Sequence, residues 1–133
     1  MQRQFWLLWE LAPSGTAYHV PALFHLRGPF NKGALVAALE DLVRRHDVFR
    51  TTFREENGEL FALVHETLAP VITFGETPVD ADDASLRSIH TAPFDLRTGP
   101  ILRAHIAPAR DGGHWLALAA HHVALDLRSK ELM

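Results

Sequence analysis

The 133 residues are enough for one hydrophobic core and give no sign of a second. With 47% hydrophobic and 22% charged residues the composition is that of an ordinary globular protein, which excludes disordered, collagen-like and membrane-embedded classes. A formal charge of −3, with no basic run longer than Arg44-Arg45, offers nothing to a nucleic acid, and the lack of cysteine excludes disulfides, thiolate nucleophiles and cysteine-ligated zinc.

The opening residues put a basic side chain before an apolar run, but that run, Phe5 to Trp9, is short and ends at Glu10, so it is not a signal peptide. No segment approaches the roughly 20 apolar residues of a membrane-spanning helix. A soluble, cytoplasmic protein is expected. Residues 2–11 read as a short helix presenting Phe5, Trp6, Leu8 and Trp9, stopped by Pro13-Ser14-Gly15. Tyr18 to Arg27 reads as a strand closed by Gly28-Pro29. The clearest helix follows, with Asn31 as N-cap and Leu35, Leu39, Leu42 and Val43 at helical spacing opposite Glu40, Asp41, Arg44 and Arg45.

Val48 to Arg54 and Leu60 to Thr67 read as an antiparallel pair turned through Asn57-Gly58, residues that tolerate the positive φ angles of a tight hairpin. Val71 to Phe74 is a short strand, and Asp82 to Ala92 a helix ended by Pro93. Ile101 to Ala107 and Trp115 to His122 are strands around Asp111-Gly112-Gly113. The run Leu116 to Ala120 is apolar on both faces, as in a central strand covered from two sides. A last helix is predicted from Asp126, and the chain stops after about two turns of it, as expected of a truncated segment or of a half completed by something else. The order of elements predicts an α/β fold, a mixed β-sheet with packed helices and no regular βαβ repeat.

The most informative residues are His121-His122-Val123-Ala124-Leu125-Asp126. Two adjacent histidines at a strand end point to opposite faces, so only one can share a given pocket: His122 follows Leu116, Leu118 and Ala120, and His121 follows Trp115, Ala117 and Ala119. One of them can serve as a base or orienting group near neutral pH. Equally open on spacing alone is that both are strand-end polar groups satisfied by backbone. A metal site is disfavoured, because the two side chains diverge and no third ligand stands nearby.

The chain resembles the condensation domains of nonribosomal peptide synthetases. Their HHxxxDG motif is met by His121-His122-Val123-Ala124-Leu125-Asp126-Leu127, followed by Ser129. Arg45-His46-Asp47-Val48-Phe49-Arg50-Thr51-Thr52-Phe53 is similar to RHExLRTxF, and Pro93-Phe94-Asp95-Leu96 with Gly99-Pro100-Ile101-Leu102-Arg103 is similar to PFDLxxGPLLR. Gln4-Phe5-Trp6-Leu7-Leu8 and Tyr18-His19-Val20-Pro21 look like the opening helix and the YNIP strand. HHxxxD alone is shared with other acyltransferases; four matches in order are far more specific.

The resemblance implies that residues 1–133 are the N-terminal lobe of a two-lobed, chloramphenicol-acetyltransferase-like fold, ending just after the HHxxxD motif. It implies amide bond formation between an acyl or peptidyl donor and an aminoacyl acceptor, both tethered as thioesters on the phosphopantetheine arms of carrier domains, with no cofactor or metal bound by the chain itself. His122 would orient or deprotonate the attacking amine, or stabilise the charge that develops on it. His121 would be a structural member of the motif. Asp126 would brace the loop behind the histidine with Arg50 as its partner, or be the N-cap of the last helix, or both. Leu127 replaces the motif's glycine and brings a bulky side chain toward the substrate path, either reshaping the pocket or impairing the site. The histidine pair argues against heterocyclising relatives, and Lys130 after Ser129, where epimerising relatives carry tryptophan, argues against those. Two alternatives stand beside amide formation: an ester-forming acyltransferase of the same superfamily, and a non-catalytic lobe used for docking. Without its C-terminal lobe the chain is expected to be inactive and, with apolar surface uncovered, prone to self-association.

Overall fold

The computed structural model describes residues 2–123. Helix α1 (Gln2–Leu11) opens the chain and buries Trp6 and Trp9. Strand β1 (His19–Leu26) leads to helix α2 (Lys32–Arg45), where the Asn31 side chain accepts the amide proton of Ala34 at 3.0 Å and so caps the first turn. Leu39 and Val43 are the residues this helix buries most deeply.

The segment after α2 departs from the sequence reading. Val48 to Arg50 belong to a 3-10 turn (Asp47–Arg50), and the strand begins only at Thr51. Val48 and Phe49 are apolar because the turn points both into the core, and an apolar pair inside a β-like stretch looks the same in sequence as the start of a strand. Strands β2 (Thr51–Glu56) and β3 (Glu59–Val64) form the expected hairpin, with Asn57 at φ 51° and Gly58 at φ 78°. Residues 65–67 lie beyond β3 rather than in it.

Strand β4 (Val71–Phe74) follows, then helix α3 (Ala84–Thr91), whose N-cap Asp83 accepts the amide proton of Ser85 and which ends at Ala92, before Pro93. Strands β5 (Leu102–Pro108) and β6 (His114–His121) make the second hairpin. Gly113 is needed there: a β-carbon would stand 2.4 Å from the carbonyl oxygen of Leu26, the last residue of β1.

Among the described residues β1, β6, β5 and β4 form one sheet in that order, and β2 with β3 form a separate two-stranded ribbon. The sheet is mixed: β1 with β6 and β6 with β5 are antiparallel, whereas β4 with β5 is parallel. The ladders line up Leu116, Ile106 and Phe24 on one face, where Leu39 and partly buried Leu35 of α2 pack, and Ala117 with Leu86 of α3 on the other. Strand β6 is therefore interior by position and covered from both sides, as its alanine-leucine sequence demands. A third cluster joins Trp6 and Trp9 of α1 to Phe49, Phe53, Phe94, Leu96, Ile101 and Val123. It fixes α1 against the end of the sheet where the two histidines stand. No described helix is long and apolar enough to cross a membrane.

Candidate active site

Strand β6 ends at His121, and the backbone turns away from the sheet at His122. Both positions are held by main-chain bonds to neighbouring segments: the His121 amide donates to Ile101 at 3.2 Å, and the His122 amide to Tyr18 at 2.7 Å. The two side chains then meet different surroundings. His121 is 3% exposed, whereas His122 is half-buried.

The His121 ring accepts the amide proton of Val123 on Nδ1 at 3.1 Å. A nitrogen that accepts carries no hydrogen, so the ring is neutral with its proton on Nε2. Burial, then the nearness of His19 and His122, holds its pKa down at about 4 against an ordinary 6.5. At neutral pH this imidazole is a fixed, uncharged part of the frame. A cavity of about 50 Å³ lies beside it, lined by Leu8, Trp9, Ala12 and Tyr18 among others.

Around His121 lies a set of contacts that the sequence did not single out. His19 stands directly opposite it in the β1–β6 ladder, with ring centroids 6.1 Å apart. Phe94 presents an edge to both, at 4.9 Å from His19 and 6.1 Å from His121. Trp9 donates its indole N–H to the Phe94 carbonyl at 2.7 Å, tying α1 to the same point.

The C-terminal end of α3 lies over this face. The last carbonyls of a helix lack intrahelical donors, and here side chains of the sheet supply them. Arg103 of β5 donates to the carbonyls of Ile89 (2.7 Å), Pro93 (3.1 Å) and Ala92, and its guanidinium lies 3.9 Å from the centre of the Phe94 ring. His19 donates its Nδ1–H to the carbonyl of His90 at 2.9 Å, and His90 in return donates Nε2–H to the carbonyl of Ala22 in β1 at 3.1 Å. Arg103 had a signal in the sequence, since a charge in the apolar strand Leu102–Pro108 must find carbonyls or carboxylates if it faces inward. His19 had none, because its neighbours depend on strand register.

Arg50 occupies the 3-10 turn and not a strand. It donates to the carbonyls of Val43 (3.1 Å) and Arg44 (3.2 Å) at the end of α2, to that of His65 after β3, and to the carboxylate of Asp47. Its described partners therefore clamp the end of α2 to the β2–β3 ribbon. Asp126, Leu127, Ser129 and Lys130 lie outside the described residues, so the predicted pair between Arg50 and Asp126 does too. Among the described residues no three histidine, aspartate or glutamate side chains gather as metal ligands would.

The whole chain, residues 1–133, matches the family profile described as "Condensation domain". The chain belongs to the condensation-domain family. It is 32% identical over 125 residues to tyrocidine synthase 3 of Brevibacillus parabrevis, covering 94% of this chain and 2% of that protein. It is also 32% identical over 133 residues to gramicidin S synthase 2 of Brevibacillus brevis, covering all of this chain and 3% of that one. The starter condensation domain of rhizomide synthetase superposes with a TM-score of 0.79 at 20% identity, over 92% of this chain and 31% of the solved one. The fold is thus that of condensation domains, the chloramphenicol-acetyltransferase-like architecture, as the motifs implied. The chain spans a few per cent of the length of these synthetases and about a third of the solved domain.

Proposed function

We propose that this chain is the N-terminal lobe of a condensation domain that joins a carrier-tethered acyl or peptidyl thioester to a carrier-tethered aminoacyl group. The observation that carries this reading is the histidine pair of a condensation-domain chain, intact at the end of the central strand, with one ring buried and neutral and the other half-buried. In the reaction the acceptor's amine nitrogen attacks the thioester carbonyl, a C–N bond forms and the C–S bond breaks. The proton shed by the amine ends on the departing phosphopantetheine sulfur. In this reading His122 takes or orients that proton, and His121 holds the turn from which His122 projects. Asp126 would brace the loop behind the histidine, with Arg50 supporting the frame between α2 and the ribbon. Holding two tethered reactants in one cleft supplies much of the rate in such a design.

In this reading the acyl-donor and amino-acceptor carrier domains are the partners, and the substrates bring their own phosphopantetheine. The rest of the cleft comes from the C-terminal lobe, so the isolated 133 residues are expected to be inactive. The test is turnover by a complete domain carrying this segment, supplied with amine and with hydroxyl acceptors. Amide product that falls by roughly 10²- to 10⁴-fold in His122→Ala is the expected result. Preference for the hydroxyl acceptor would make the domain ester-forming, and unchanged product in the variant would remove His122 from the chemistry.

A further inference from the structure

We propose that His19 is a positioning residue for this site, holding the His121 ring in the orientation in which its Nδ1 meets the Val123 amide, and through it the turn that carries His122. The inference rests on the reading of His122 given above.

The geometry runs as a continuous chain of contacts. The carbonyl of His90, near the end of α3, receives the Nδ1–H of His19, so the His19 ring has one orientation in which that bond can form. Held there, the ring meets the edge of Phe94 at 4.9 Å and approaches His121 across the ladder at 6.1 Å. Phe94 is itself pinned, since Trp9 bonds its carbonyl and Arg103 covers its ring. His121 is thus bordered by two anchored rings, and in the orientation they favour the Val123 amide points at Nδ1, which leaves the proton on Nε2.

Val123 is the residue after His122. A flip of the His121 ring, or a proton on Nδ1, removes the acceptor for the Val123 amide, and a buried donor left without a partner is costly. The backbone between them would shift, and His122 sits on that backbone. Moving a reacting group by a fraction of an ångström is enough to lower turnover, because oriented catalysis depends steeply on placement. His19 needs no contact with substrate to matter here.

Two substitutions separate the parts of the contact. His19→Asn keeps an N–H donor for the His90 carbonyl and removes the ring. His19→Phe keeps a ring against Phe94 and His121 and removes the donor. The tautomer of His121 is read from proton–nitrogen correlation spectra of its imidazole in the 133-residue chain, which need no activity. In the unsubstituted chain a single Nε2–H tautomer is expected, and in both variants a mixture. In the complete domain both variants are expected to lower kcat by roughly 10- to 100-fold with KM changed by no more than about twofold.

Variants that leave the His121 tautomer and the turnover unchanged would overturn the proposal. So would a loss of turnover with the tautomer intact, since His19 would then act by another route, or a mixed tautomer with full turnover, since His121 would then not govern His122. Should His122→Ala retain full activity, the catalytic reading fails, and that outcome is told apart by the spectra, which report on His19 and His121 alone.

Discussion

His121 and His122 are covalent neighbours in different surroundings, the first buried and the second half-buried. In the folded chain His121 is half-protonated only near pH 4, chiefly because the ring is buried, whereas in an unfolded chain this happens near 6.5. Between those values the unfolded state holds the extra proton, so stability is fully present above about pH 6.5 and declines as pH falls toward 4. The loss from this one group is on the order of 3 kcal/mol. His121→Asn should flatten that part of the profile, which urea unfolding of both proteins between pH 7 and 4 will measure as a smaller spread of midpoints in the variant. At Arg103 the expected cost is of another kind. Arg103→Met keeps the bulk of the stem but leaves the carbonyls of Ile89, Ala92 and Pro93 without their donor, a loss of about 2–4 kcal/mol in urea unfolding at pH 7. The histidine pair was legible from sequence because a motif marks it. Its enclosure was not, since His19 reaches His121 only through a ladder that pairs positions far apart in the chain, and Phe94 only through packing of the segment after α3.

The elements follow local rules wherever local rules suffice. Asn31 caps α2 as its side-chain chemistry predicts, and Asn31→Ala should lower stability by about 1 kcal/mol with little change in the circular dichroism of the folded chain. Asn57-Gly58 turns the β2–β3 hairpin for an equally local reason, the positive φ of both residues. The 3-10 turn over Asp47–Arg50 escaped notice because its conformation is set from outside. Arg50 gathers carbonyls from α2 and from the segment after β3, and Val48 and Phe49 fill space under α1, so the extended propensity of a valine-phenylalanine pair is overruled. The parallel pairing of β4 with β5 was equally invisible, because strand direction is decided by the path of the connecting chain through α3.

At the scale of the molecule the described lobe shows apolar side chains in more than one place. Phe61, Leu63 and Val64 of β3 are each more than two-fifths exposed, and Phe24 of β1 is about half exposed. Both strands are at the edges of their sheets, where unpaired backbone groups lie next to the apolar side chains. The isolated chain is expected to associate as its concentration rises, and Phe61→Lys with Leu63→Lys should restore the monomer in sedimentation velocity runs; a weight-average mass that stays monomeric without the lysines would refute this. The sequence foresaw surface of this kind from the resemblance alone, but which strands carry it depends on the sheet order.

That order also sets a timetable. Strand β1 finds its ladder partner about a hundred positions further along the chain, so as the polypeptide leaves the ribosome the first strand is delivered long before the strand that will cover it. The histidines arrive on that same late strand. Placement of the histidine pair and closure of the sheet are therefore one event in the life of the nascent chain, and a product of translation stopped short of residue 121 lacks both.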